Sequence, residues 1–269
     1  MMMTRMMSEI SVVSEDAWLR KTAAFLADYA ALLSGCGATC IRIEKNMRRM
    51  AAAFAVGFDI TIMPVHIYVS VWGRDMAYMV VVARKVAVCG VSFNLNARLS
   101  RLSWEVADNH IDLDEAVRRF DRICETQPAG WRQVLFLVSL ANASFCRLFG
   151  GDMVAMFIVL LSTLAGYRLK QIMLDNKRDV RLAFLCSAFF SASLSAGGHI
   201  FEVGSTPEIA LGTSVLYLIP GVPYINAVSD MISRHYLCAF SRFWDALVLT
   251  VCLSAGLCAG MFLLGLKWF

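Results

Sequence analysis

The sequence predicts an α-helical membrane protein of five transmembrane helices, preceded by a small α+β cytoplasmic domain. Two observations lead there. The chain of 269 residues is 58% hydrophobic and only 17% charged, against about 45–50% and about 25% in average soluble domains. Charge is also unevenly spread: residues 1–130 hold 29 charged side chains and residues 131–269 hold 17. A chain so short of charge cannot cover an apolar interior in water, and its mean hydropathy of +0.61 excludes intrinsic disorder. The net charge of +4 is too small to predict a nucleic-acid partner.

Residues 1–14 read as a mobile tail with no apolar signal segment. The cytoplasmic domain is expected over residues 15–128. Ser14, followed by Glu15 and Asp16, starts a helix whose acidic first turn suits the helix dipole. Trp18, Phe25, Tyr29 and Leu32 or Leu33 recur at helical spacing up to Gly35, and a second helix spans residues 40–54. Residues 58–71 read as one strand, residues 72–75 as a turn and residues 76–91 as the returning strand. Two helices follow, 94–108 and 113–124, with Asp112 capping the latter. Residues 127–130 are the linker. The predicted module is therefore helix-helix-strand-strand-helix-helix. The basic run Arg42, Lys45, Arg48 and Arg49 reads as a solvated helix face.

Residues 131–269 form the membrane half. A transmembrane helix needs roughly 20 mainly apolar residues. Residues 182–201, 209–229 and 246–266 satisfy this between charged boundaries. Residues 131–149 and 153–173 read as a helical hairpin turning at Gly150 and Gly151. The loop after the second span is rich in Lys and Arg, that after the third has none, and that after the fourth carries Arg234 and Arg242. The positive-inside rule then sets the N-terminal domain in the cytoplasm and the C-terminus outside. Gly256 and Gly260 have the Gly-x-x-x-Gly spacing of close helix association, here with a partner helix.

The fourth span carries the most informative residues. Pro220 and Pro223 lack backbone N–H groups and Gly221 invites non-helical geometry. Transporters use broken helices to place helix ends and free carbonyls at a substrate site, though the same prolines also make a plain kink. Asn226 and Asp230 follow four residues apart, on one helix face. Asp230 reads either as a proton carrier or as a helix terminator. Arg147, near the end of the first span, either snorkels to the interface or attracts a substrate carboxylate.

The stretch Pro220-Gly221-Val222-Pro223-Tyr224-Ile225-Asn226-Ala227-Val228-Ser229-Asp230 resembles the signature of the threonine/serine exporter family. The resemblance extends back through Arg147-Leu148-Phe149-Gly150-Gly151 to Gly37-Ala38 and Arg42-Ile43-Glu44. It implies an exporter subunit for small hydroxy amino acids or succinate-like dicarboxylates, in a bacterial inner membrane; the proton gradient is expected to drive export. The substrate is expected at the broken fourth span, with Pro220, Gly221, Pro223, Asn226 and Arg147 as the binding residues and Asp230 as the proton-coupling residue. The implied partners are the bilayer, a small anionic or zwitterionic substrate and a small second membrane subunit, with a homo-oligomer as the other arrangement. No enzyme activity, metal or cofactor is expected. Thr39 and Cys40 depart from the family pattern of an acidic and then a hydroxyl residue after Gly37-Ala38, which weakens any hydrolytic role. The alternative function is a membrane-anchored sensor that binds its ligand through the cytoplasmic domain. Nine cysteines, an odd number with no Cys-x-x-Cys pair, argue against a disulfide scaffold.

Overall fold

The computed structural model describes residues 2–73, 78–87, 89–126, 129–200 and 204–265, with side chains from residue 16 onward except that of residue 199. In chain order the elements are α1 (Met2–Gly35), α2 (Cys40–Ala53), β1 (Gly57–Ile62), β2 (His66–Trp72), β3 (Met79–Lys85), α3 (Phe93–Asp108) and α4 (Leu113–Cys124). Then come α5 (Trp131–Leu148), α6 (Met153–Asp175), α7 (Val180–Ile200), α8 (Pro207–Thr213), a 3₁₀ turn (Leu216–Leu218), α9 (Gly221–Ile232) and α10 (Tyr236–Leu263). The chain forms two compact units. One comprises residues 1–127 and 222–243; the other comprises residues 128–221 and 244–269.

The first unit is built on a three-stranded antiparallel sheet in the order β1-β2-β3. Phe58 pairs with Val71 on one side of β2, and Val69 with Val82 on the other. Alternate residues of β2, Ile67, Val69 and Val71, are fully buried. They join Leu26, Tyr29, Leu33, Ile43 and Met47 from the helices in one core. Each large side chain so removed from water contributes roughly 1.5–3 kcal/mol of transfer free energy. The Tyr29 hydroxyl donates to the Leu99 carbonyl at 2.9 Å, so this ring is buried without a lost hydrogen bond.

Three local expectations change in this unit. Residues 58–71 are not one strand: Pro64 cannot donate to a ladder, and the chain turns there, Met63 N–H donating to the His66 carbonyl at 2.9 Å. A hairpin results, and the module gains a third strand. Helix α1 begins at Met2 rather than near Ser14. No Gly or Pro interrupts residues 2–13, which are rich in helix-favouring Met. The basic run on α2 is partly tied down. Arg42 donates to Asn96 at 3.0 Å, and Arg49 lies over the Trp104 ring at 3.5 Å. Asp112 does cap α4, accepting from the Glu115 N–H at 3.2 Å. Residues 74 and 75 of the expected turn and residues 127 and 128 of the expected linker lie outside the described residues.

The second unit is helical. Helices α5 and α6 form the hairpin expected from the Gly-Gly pair. Gly150 adopts φ +90°, and Gly151 N–H donates to the Cys146 carbonyl at 2.9 Å, closing α5. Asp152 caps α6 through the Ala155 N–H at 2.6 Å and accepts from the Ser205 N–H, also at 2.6 Å. Four backbone and hydroxyl donors hold its carboxyl down at about 2.

Among the described residues three helices are long and apolar enough to cross a membrane: Met153–Asp175, Val180–Gly198 and Tyr236–Leu263. A fourth results if Pro207–Leu218 and Gly221–Ile232 make one broken span. Helix α5 has 18 residues, but Arg132, Gln133, Asn142 and Arg147 dilute its apolar content, so it falls outside this set. The unit is apolar outside, with Phe136, Leu137 and Phe262 exposed, and lined inside by small and hydroxyl residues. Gly256 and Gly260 face α7 of the same unit rather than a partner. A Cβ on Gly256 would stand 2.9 Å from the Ala188 Cβ, and one on Gly260 would stand 2.9 Å from the Ala192 Cβ.

Candidate functional site

The site is assembled around the turn between α1 and α2. Gly37 takes φ +85°, a conformation glycine adopts without strain, and reverses the chain. Thr39 occupies the position before α2, yet its side chain makes no capping bond. The first free N–H of α2, that of Cys40, is instead taken by Asp230 Oδ1 at 2.8 Å. Helix α9 therefore supplies the cap for α2, and the carboxylate lies where the helix dipole favours negative charge. Asp230 is fully buried.

Two further donors complete the cluster. Arg242, in the first turns of α10, brings Nη1 to 3.0 Å from Asp230 Oδ2 and donates from Nη2 to the Ala38 carbonyl at 2.8 Å. The Nη1 contact is an ion pair without hydrogen-bond alignment. Asn226, one helical turn before Asp230, donates from Nδ2 to the Gly37 carbonyl at 2.8 Å. Beside them His235 Nε2 lies 3.1 Å from Glu44 Oε1. The Cys40 thiol is raised far above the ordinary thiol range, first by its hydrogen bond to Cys238 and then by burial.

The expected site residues divide. Asn226 and Asp230 do share a face of α9, and both are engaged by residues 37–40. Pro220 stands at the break: Pro207–Leu218 and Gly221–Ile232 are bent by 58° there and together can make one broken span. The helical run is interrupted at residues 214–220, with Ile219 extended (ψ 123°) before Pro220, and α9 begins at Gly221. Pro223 lies in the first turn of α9, where a missing N–H costs nothing. Gly221 N–H donates to the Ile219 carbonyl at 2.8 Å, and a Cβ there would meet nothing within 4 Å. Arg147, in the other unit, donates to the Gly151 carbonyl at 3.1 Å and closes the hairpin turn. Arg242 was not among the expected site residues. It reads from sequence as a loop cation; a basic residue just ahead of a long apolar run was its available signal.

The second unit holds a separate polar interior. Asn142 of α5 donates to Thr163 Oγ1 at 2.7 Å and to the Thr213 carbonyl at 3.2 Å. With Tyr217 it supplies the polar groups of a recess of about 330 Å3 that is otherwise lined by apolar residues such as Val138, Phe145 and Leu216.

The family profile described as "Putative threonine/serine exporter" matches residues 24–264. Two relatives are each named "Probable succinate transporter subunit YjjP". The one from Klebsiella aerogenes is 26% identical over 187 residues, which is 68% of this chain and 71% of the relative. The one from Escherichia coli K12 is 28% identical over 166 residues, which is 60% of this chain and 64% of the relative. No solved structure matches the chain. The profile spans both the turn at Gly37 and the Asn226–Asp230 face that engages it, so the chain belongs to the threonine/serine exporter family.

Proposed function

We propose that the chain is the larger subunit of a secondary exporter for small carboxylates, with Asp230 as its proton-coupling residue. Membership of an exporter family makes it a transport protein rather than an enzyme. The relatives are named as subunits of succinate transporters, which favours a dicarboxylate over threonine or serine and favours a second, small membrane subunit as partner. Five spans in a bacterial inner membrane, with residues 15–128 in the cytoplasm, complete the reading; α5 is the span least like lipid-facing helices.

The observation that carries the coupling role is the fully buried Asp230 bound to Arg242 and to the α2 N-terminus. Protonation would remove its attraction for Arg242 and leave that guanidinium free for a substrate carboxylate. A buried charge pair that alternates between two partners is a bistable element of the kind coupled transport needs. The test is counterflow in proteoliposomes with labelled succinate and labelled threonine, using the chain with and without a copurifying small membrane protein. Flux that needs the partner and is abolished in its gradient-driven form by Asp230→Asn supports the proposal. Gradient-driven efflux unchanged in Asp230→Asn removes Asp230 from coupling.

A further inference from the structure

We infer that Lys170 and the Ser187 hydroxyl form a carboxylate-binding site between α6 and α7 of the second unit, beside the hydroxyl pair of Ser191 and Tyr217. The inference deepens the exporter reading and rests on it. Gly166 and Lys170 lie four residues apart on one face of α6, with Tyr167 beside them. Phe184, Ser187 and Ser191 lie at spacings of three and four on the facing side of α7. The Lys170 ammonium is held 4.4 Å from the centre of the Phe184 ring and 5.6 Å from that of Tyr167. Among the described residues no carboxylate pairs with it. A cation set against two rings between packed helices, with no carboxylate beside it, attracts an anion.

One helical turn along the same seam the hydroxyls gather. Ser191 Oγ contacts the Tyr217 hydroxyl at 2.9 Å and donates to the Ser162 carbonyl at 3.1 Å. The Tyr217 ring packs on Tyr167 at 5.9 Å between centres, which links the hydroxyl group to the cation. Gly166 leaves open the space that Ser191 Oγ and the Tyr217 hydroxyl approach. Ser187 is fully buried, and its Oγ has no hydrogen-bond partner. Buried hydroxyls in native proteins are nearly always satisfied, so an orphan one turn along α7 from Phe184, on which the ammonium rests, asks for an acceptor from outside the chain. A carboxylate supplies it: two oxygens with room for several donors, and the charge that complements Lys170. The ammonium takes one carboxylate, the group that succinate and threonine share.

Counterflow by the full chain with its copurifying partner tests this, with labelled succinate and labelled threonine as separate arms. Charged hydrogen bonds of this kind are worth a factor of roughly ten or more in binding. Lys170→Gln is therefore expected to raise the half-saturating concentration by that factor while the maximal rate changes little, and Lys170→Arg is expected to recover most of it. Ser187→Ala removes an orphan hydroxyl. A purely structural role predicts an unchanged or higher Tm and unchanged half-saturation; the binding role predicts weaker half-saturation at the same Tm. An effect in both arms points to the shared carboxylate, and an effect in one arm identifies that substrate. Unchanged half-saturation in both Lys170→Gln and Ser187→Ala overturns the site. Should wild-type chain carry no flux, the exporter reading fails, and thermal shift decides the site. Stabilisation by succinate or threonine that is lost in Lys170→Gln keeps it; no stabilisation of wild type overturns it.

Discussion

Asp230→Asn should destabilise the first unit far more than its small change of shape suggests. Asparagine keeps the volume and one oxygen for the Cys40 N–H. The loss is the charge opposite Arg242, whose side chain is only 20% exposed. Removing one partner of a buried ion pair costs about 3–5 kcal/mol, because the other charge is left uncompensated. The Nη1 contact at 3.0 Å lacks hydrogen-bond alignment, and Arg242 keeps its bond to the Ala38 carbonyl. The lower end, about 3 kcal/mol, is therefore expected. For a protein of this size each kcal/mol shifts Tm by about 2–4 °C, so the drop should be about 6–12 °C. Arg242→Met should cost as much, since it strands the fully buried carboxylate. The assay is thermal unfolding of both single variants and of the double variant in one detergent. The double variant should recover at least half of the summed loss, since neither charge is then stranded. Strictly additive losses, or single variants that unfold with wild type, would refute the pairing as the source of stability.

Two other predictions concern the second unit and the broken span. The Asp152 carboxyl is held down at about 2 by backbone N–H donors from Ala155 and Ser205. A depressed acid stabilises the fold above its ordinary value of 3.8, and the gain disappears as pH falls through about 2. Asp152→Ala should therefore lower Tm at neutral pH and shrink the loss of Tm on acidification; parallel pH profiles for the two proteins would contradict this. Gly221→Ala should leave Tm and flux unchanged or raise Tm slightly, since the added Cβ meets nothing within 4 Å. Gly256→Ala, whose Cβ would crowd the Ala188 Cβ at 2.9 Å and the Phe189 nitrogen at 3.0 Å, should lower Tm clearly. Equal effects in the two glycine variants would be inconsistent with this packing.

Local chemistry was readable in advance wherever one residue decides it. Asp112 starts α4, and the Gly150-Gly151 pair turns the hairpin, because each acts on backbone within a few positions. Pro64 carries the same kind of signal, but it sits within an apolar alternation that reads as one strand, and the chain turns there into a hairpin. The apolar window of the fifth span opens at residue 246, after Asp245; helical backbone tolerates charged residues, and α10 begins at Tyr236. The polar cluster was legible only in part. The spacing of Asn226 and Asp230 gives their common face, but no periodicity reveals that this face is met by residues 37–40, some 190 positions away. Nor could hydropathy separate an apolar helix that packs with the N-terminal unit from one that faces lipid. Residues 222–243 read as part of the membrane half and cluster with residues 1–127 in the first unit, while Gly221–Ile232 still serves as half of a broken span.

The cap that Asp230 provides for α2 has a consequence for biogenesis. Cys40 leaves the ribosome 190 residues before its acceptor does. At about 5–20 residues per second that interval lasts on the order of 10–40 s. Throughout it α2 has an unsatisfied first turn and Arg242 has not been made, so the N-terminal unit waits half-finished while α5 to α8 are synthesised. Its completion becomes a late check on the whole chain. A nascent protein in which α9 goes astray leaves α2 uncapped and Arg242 without its carboxylate, while a correctly threaded one closes the cluster once Arg242 has emerged.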